Sequence, residues 1–214
     1  MHRIYLHPLP VRIWHWINAA AFIMLILTGL QLRYVGLIDV APFRIAVTTH
    51  NLFGFVVIAD FFLWLGYYLC SKRITAYHTE LNPVKYFLGS MAQALYYGYG
   101  IFIRSPEPFH ITIYRKFNPL QLMTYQVIML VLIPIQCVTG LLLWDLERFS
   151  RVVALVGGVR VVDTVHVLIF IFFAFYLPAH IYLATLGRRP TTHIKEMLTG
   201  YEEAGEEERA DAAE

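Results

Sequence analysis

The chain has 214 residues, 58% of them hydrophobic and only 15% charged, with a mean hydropathy of +0.56. That balance excludes an ordinary soluble domain and places the chain among membrane proteins. A net charge of +2 says little by itself, and no nucleic-acid partner is expected.

Residues 1–10, MHRIYLHPLP, form a short polar lead with two prolines. The first apolar run, Val11 to Leu32, is long enough to cross about 30 Å of hydrocarbon, and Trp14 and Trp16 stand where an interfacial aromatic belt belongs. It follows Arg3 and Arg12 as a secretory signal would. It is longer than a signal core, has no small-x-small cleavage site before Arg33 and contains His15, so it is expected to be retained. Helix two runs from His50 to Cys70. Between it and helix three, Pro83 to Ile103 is apolar and tyrosine-rich yet contains Lys85 and Gln93. It reads as an interfacial helix lying along the membrane, because a crossing would invert helices three and four. Helix three covers Leu122 to Trp144 and helix four Asp163 to Leu186. Pro134 and Pro178 are expected to kink them. Residues 1–190 thus form a single transmembrane domain, and 191–214 an acidic cytoplasmic tail that is disordered or docks on a partner. The fold class is an all-α membrane protein, a four-transmembrane-helix bundle with one interfacial helix.

The basic residues orient it. Arg3 and Arg12 precede helix one; Lys72, Arg73, Lys85, Arg104, Arg115 and Lys116 lie between helices two and three; Arg188, Arg189 and Lys195 follow helix four. The other connections hold Arg33, Arg44, Arg148, Arg151 and Arg160. The bias puts both termini and the long middle connection in the cytoplasm. Cys70 and Cys137, at a helix end and inside a helix, read as buried thiols rather than a disulfide.

Polar side chains inside membrane spans are costly and call for a cause. Four histidines qualify: His15, His50, His166 and His180. His166 and His180 are fourteen residues apart, close to four helical turns, so both leave one face about 21 Å apart along the axis. With the orientation above, His50 and His166 sit near the outer side and His15 and His180 near the inner side. Pairs of axial imidazoles stacked across a bilayer are what two six-coordinate b-type haems require, with electron transfer rather than oxygen chemistry as the consequence. Zinc would want a tetrahedral cluster with thiolate or carboxylate help, and the absence of CxxCH excludes covalent c-type attachment. Gly29 falls fourteen residues after His15, Gly54 one turn beyond His50, and Thr139-Gly140 repeats Thr28-Gly29 near the outer end. A haem could press on the backbone at Gly29, Gly54 and Gly140, and close helix packing accounts for them equally well. His2, His7, His78, His110 and His193 read as ordinary interfacial residues. Asp60, ten residues into helix two, reads as a proton-path residue, a cofactor contact or a protonated acid bonded to a neighbouring helix.

Together RIWHW at Arg12 to Trp16, HNLFG at His50 to Gly54, FNPLQ at Phe117 to Gln121, TGL at Thr139 to Leu141 and the histidine spacing in helix four make the chain resemble a known family. It is similar to the membrane cytochrome b subunits of respiratory formate dehydrogenases, nickel–iron hydrogenases and thiosulfate reductases, also called bacterial cytochrome b561-like proteins. The resemblance implies that His50 and His166 hold the outer haem and His15 and His180 the inner one. It implies a quinone site, for menaquinone or ubiquinone, near the inner haem, with Asn118, Gln121 and His180 as its residues. Asn118-Pro119 also reads as a helix start. The expected function is a membrane anchor in the bacterial or archaeal cytoplasmic membrane. It would move electrons between an outer iron–sulfur subunit, with its catalytic subunit, and the quinone pool, using protons passed by His110, Asp60 or water. The external connections are too short to hold a catalytic domain. The rival readings are a haem-free ion or proton transporter built on the same His and Asp residues, and a stand-alone b561-type electron shuttle.

Overall fold

In the computed structural model, residues 3–5, 7–71, 82–106, 108–109, 118–186 and 190–203 are described. The basic residues Lys72, Arg73, Arg115, Lys116, Arg188 and Arg189, the histidines His2, His78 and His110, and the tail beyond Glu203 lie outside them. The chain divides into two compact units, Met1–Leu65 with Ile135–Glu214, and Gly66–Pro134.

Among the described residues four helical segments are long and apolar enough to cross a membrane: Leu9–Arg33, Phe43–Cys70, Pro119–Trp144 and Val159–Ala184. The first is α1. Its proline-rich start is favourable because Pro10 stands in the first turn, where a missing N–H costs no hydrogen bond, and the Val11 and Arg12 amides donate to the Pro8 carbonyl at 3.0 and 3.2 Å.

Helix α2 (Phe43–Cys70) starts seven residues before the sequence boundary at His50. The apolar run is broken there by Arg44 and by Thr48-Thr49, but the backbone only needs its own hydrogen bonds to continue. The Ile45 and Ala46 amides donate to the Pro42 carbonyl at 2.7 and 3.0 Å, and the Thr48 hydroxyl donates back to the Arg44 carbonyl at 2.9 Å. His50 therefore stands two turns inside the helix rather than at its mouth.

The 119–144 segment is three pieces: α4 (Pro119–Val127), a π-helical stretch Ile128–Leu132, and α5 (Ile133–Trp144). The π turn directly precedes Pro134, whose ring crowds the carbonyl four residues back and whose nitrogen has no hydrogen to give it. Widening to an i→i+5 pattern absorbs that conflict. A short α6 (Ser150–Leu155) leads to α7 (Val159–Ala184), which contains Pro178. Leu142, Val153 and Val162 form a buried cluster there, flanked by Leu143 and Phe149. Along the spans most exposed side chains are apolar, Leu63 at 69% and Phe175 at 76% among them, as a lipid-facing surface requires.

In the Gly66–Pro134 unit, α3 (Pro83–Gly98) has 16 residues, short of the ~20 needed to span. Asn82 caps it, accepting from the Val84 and Lys85 amides at 3.0 and 3.2 Å. One face packs on α4: the Tyr86 hydroxyl donates to Gln126 at 3.1 Å, and a Cβ on Gly89 would come within 3.3 Å of the Pro119 ring.

The all-α bundle is as expected, and the ends add two short elements to it. In the segment after residue 190, Thr192–Thr199 forms α8, and β1 (Arg3–Tyr5) pairs antiparallel with β2 (Tyr201–Glu203). Arg12 donates through its guanidinium to the Leu198 carbonyl, and the Trp16 indole donates to the Met197 carbonyl at 3.1 Å, so α8 is held to the start of α1. Gly200 makes the turn possible, with φ of +88° and room for no Cβ, which would stand 2.8 Å from the His7 carbonyl oxygen.

At the other end of α1, Gln31 is 2% exposed. Its oxygen accepts from the Val40 and Ala41 amides, each at 3.2 Å, and its nitrogen donates to the Ala41 carbonyl at 2.6 Å. This one side chain ties the α1–α2 connection to the bundle. Gln31→Ala leaves those backbone groups unpaired and is expected to lower stability by about 1–3 kcal/mol, read as a lower melting midpoint of the purified protein in detergent; an unchanged midpoint would remove Gln31 from this role.

Candidate functional site

Helix α1 carries His15, Phe22 and Gly29 at seven-residue intervals, and α7 carries His166, Phe173 and His180 at the same interval. Seven residues is nearly two turns, so each set lines one helix face in steps of about 10 Å. These faces meet. His15 and His180 have ring centroids 6.3 Å apart with planes at 51°. At the other level His166 meets His50 from α2, with centroids 6.5 Å apart and planes at 66°. Between the levels Phe22 and Phe173 pack edge to face at 4.8 Å, a dry spacer with Phe173 only 4% exposed.

The two levels are built differently. At the His50–His166 level each ring is held by a threonine of a neighbouring helix. Thr28 Oγ1 on α1 lies 2.9 Å from His50 Nδ1 and donates its own hydrogen to the Met24 carbonyl at 2.7 Å. Thr139 Oγ1 on α5 lies 2.9 Å from His166 Nδ1 and donates to the Ile135 carbonyl at 2.8 Å. Gly29 and Gly140 follow these threonines and make room for the rings, since a Cβ on each would stand 3.4 Å from His50 Cε1 and 3.3 Å from His166 Cε1. A Cβ on Gly54 would meet nothing within 4 Å. Gln136 adds its amide nitrogen 3.3 Å from His166 Nε2. At the other level, His15 Nδ1 is buried with no hydrogen-bond partner among the described residues. Its pair, His180, stacks on Tyr176 at 5.5 Å and 22°.

Asp60, 3% exposed, accepts a hydrogen bond from the Asn18 amide of α1. Of the readings open for it, a bond to a neighbouring helix is the one the geometry contains. Asn18 follows His15 by three residues, so this polar pair lies within one turn of that imidazole.

Asn118 and Gln121 belong to the Gly66–Pro134 unit and His180 to the other. Asn118 is the N-cap of α4: its side-chain oxygen accepts from the Gln121 amide at 2.8 Å, and the Gln121 side chain accepts from the Asn118 amide at 3.1 Å, a reciprocal capping box. The Asn118 amide nitrogen donates to the Tyr97 hydroxyl at 3.2 Å. Gln93, fully buried on α3, has neither amide atom partnered among the described residues.

The site thus includes Thr28, Thr139, Gln136 and Asn18 as imidazole or carboxylate partners, roles that hydropathy and His spacing alone do not assign. The repeated Thr-Gly pair was the visible signal for two of them.

This is a helical, multi-pass membrane protein whose intramembrane imidazoles face one another in twos. Residues 6–200 match the family described as prokaryotic cytochrome b561, and the chain belongs to that family. It is 32% identical over 202 residues to the Escherichia coli (strain K12) protein named "Putative cytochrome YdhU", an alignment covering 93% of this chain and 74% of that one. No solved structure matches it significantly. Membership makes it a cytochrome b type of electron-transfer protein and implies haem b.

The residues fit that group. Among the described residues no three His, Cys, Asp or Glu side chains come together to cage a metal ion. His15 with His180 and His50 with His166, with ring centres 6.3 and 6.5 Å apart, could each hold one haem iron between two imidazoles, which would supply one-electron redox chemistry there. Gly140→Val, whose side chain would push the His166 ring off Thr139, is expected to lower the haem b content of the purified protein. Gly66→Ala, where an added Cβ meets nothing within 4 Å, is expected to leave it unchanged. Equal content in both proteins would show that the ring tolerates the intrusion.

Proposed function

We propose that the chain is the membrane-anchoring, di-haem cytochrome b subunit of a respiratory oxidoreductase. It passes electrons between an iron–sulfur subunit, with its catalytic partner on the outer side, and the membrane quinone pool. The observation that carries this reading is the presence of two facing imidazole pairs, His15–His180 and His50–His166, at the two ends of one α1–α7 face.

Haem, when bound, supplies a reversible one-electron carrier. The chain's own work is to present an imidazole from each side at each level, to keep the interval dry with Phe22 and Phe173, and to hold the His50 and His166 rings through Thr28 and Thr139. Two levels about 21 Å apart along α7 would suit one carrier near each membrane surface, so that neither electron donor nor acceptor would have to enter the bilayer core. The excess of Lys and Arg in the termini and in the 71–118 connection supports cytoplasmic termini. On that orientation the His50–His166 level is outer and the His15–His180 level inner.

Quinone, menaquinone or ubiquinone, is assigned to the inner side by the family resemblance, which names Asn118 and Gln121 in the Gly66–Pro134 unit and, separately, His180 in the other unit. Gln93 is a further amide donor on the α3 face that packs on α4. Because Asn118 caps α4, its replacement by Ala tests the cap as much as the quinone. Asn118→Ser keeps an N-cap oxygen but removes the amide donor. It is expected to slow haem reduction by quinol with haem content intact, and unchanged kinetics would take Asn118 out of the site.

The ligand assignment is tested by reduced-minus-oxidised spectra. The purified protein is expected to hold two b haems per chain, and His166→Ala or His180→Ala to remove about half of the b-type absorption. A native protein without b-type bands would overturn the proposal in favour of a haem-free transporter. Purification in mild detergent without co-purifying large subunits would favour a stand-alone shuttle.

A further inference from the structure

We propose that Thr28 and Thr139 are positioning residues that fix the tautomer and the basicity of the outer imidazoles. They would hold His50 and His166 with Nδ1 protonated and Nε2 free to ligate. The inference rests on the haem assignment above.

The proton placement follows from the heavy atoms. A hydroxyl has one hydrogen to give and lone pairs with which to accept. The Thr28 oxygen lies 2.7 Å from the Met24 carbonyl oxygen, a separation two oxygens adopt only with a hydrogen between them. That hydrogen is the hydroxyl's own, since the carbonyl has none. The 2.9 Å contact to His50 Nδ1 must then be bridged by a proton on the imidazole. Nδ1–H is the donor and the threonine oxygen the acceptor. The same reasoning holds on α5, where Thr139 gives its hydrogen to the Ile135 carbonyl at 2.8 Å and must accept from His166 Nδ1 at 2.9 Å. In a neutral imidazole with Nδ1 protonated, Nε2 carries the free lone pair. The Gln136 amide nitrogen lies 3.3 Å from His166 Nε2, the nitrogen whose lone pair this tautomer leaves open and which a metal would take in its place.

The device occurs twice with the same parts. In Thr28-Gly29 and in Thr139-Gly140, the threonine takes the ring N–H and the next residue, lacking a Cβ, lets the ring edge approach the backbone. A side chain at the glycine would stand 3.4 or 3.3 Å from Cε1. The inner level has no counterpart, for His15 Nδ1 is buried without a partner among the described residues. A hydrogen bond donated by a ligating imidazole orients the ring and makes it a more basic ligand, which favours the oxidised metal. Thr28 and Thr139 therefore lower the potential of the outer haem selectively.

The test compares Thr28→Val and Thr139→Val, which keep the shape and lose the hydroxyl, with Thr28→Ser and Thr139→Ser, which keep it. Haem content and redox titrations of the purified proteins are the readouts. In each Val variant one of the two midpoint potentials is expected to rise while the other stays, or the outer haem is lost because its affinity falls, by roughly 10–100-fold for such partners. The Ser variants are expected to behave as the native protein. Unchanged potentials and content in the Val variants would overturn the inference, and so would equal haem loss in Val and Ser, which would mark a packing role alone. A native protein without haem would instead overturn the haem assignment, and that is seen before any substitution is made.

Discussion

An imidazole N–H inside a bilayer has no water to bond, and leaving it unpaired costs free energy of order 1–3 kcal/mol by protein standards. Two of the four intramembrane histidines meet this demand through threonines on neighbouring helices, Thr28 for His50 and Thr139 for His166. The same contacts that satisfy the rings therefore also decide which helices lie side by side. α1 must present its Thr-Gly pair to α2, and α5 its own to α7, before either ring can take its place. Packing and site are one set of interactions here, because small residues let the backbones come close enough for a hydroxyl to reach a ring.

Much of the fold was legible because bilayer crossing imposes a length on apolar runs, and all four spans announce themselves by that length. Their starts were less legible. Hydropathy stops at a charge, but a helix does not: Arg44 ended the apolar run while the backbone ladder carried on to Phe43. The short elements at the termini were not legible for a related reason. The segment around Ile194 and Met197 is too short and too polar to register as a span, and its structure comes from groups distant in sequence, the Arg12 guanidinium and the Trp16 indole. Three-residue strands such as Arg3–Tyr5 have no periodicity to detect.

The site divides along the same line. The seven- and fourteen-residue steps in α1 and α7 are a property of one helix and can be counted in the sequence. Which side chain on another helix answers each of them is a property of packing. Asp60 could be seen as a buried acid, but not that Asn18 answers it. Asn118 was legible as a cap, and the resemblance also proposes it as a quinone contact. The capping box with Gln121 shows that the cap is made, and it engages the groups a ligand would use.

The two levels also differ in a way that bears on electron flow. The His50 and His166 rings each meet a threonine oxygen through Nδ1, whereas His15 Nδ1 is buried with no partner among the described residues. On the function proposed above, hydrogen-bonded ligands would stabilise the oxidised metal more than unbonded ones, and the threonines would bias the His50–His166 level toward the lower potential. With that level on the outer side, such a bias would favour movement from an outer donor toward quinone at the inner side. Burial and the charge of the bound groups add their own contributions at both levels. The bias from the threonines is the part that a single hydroxyl on each of two helices would control, and on the proposed function it has the sign that electron delivery to the quinone pool requires.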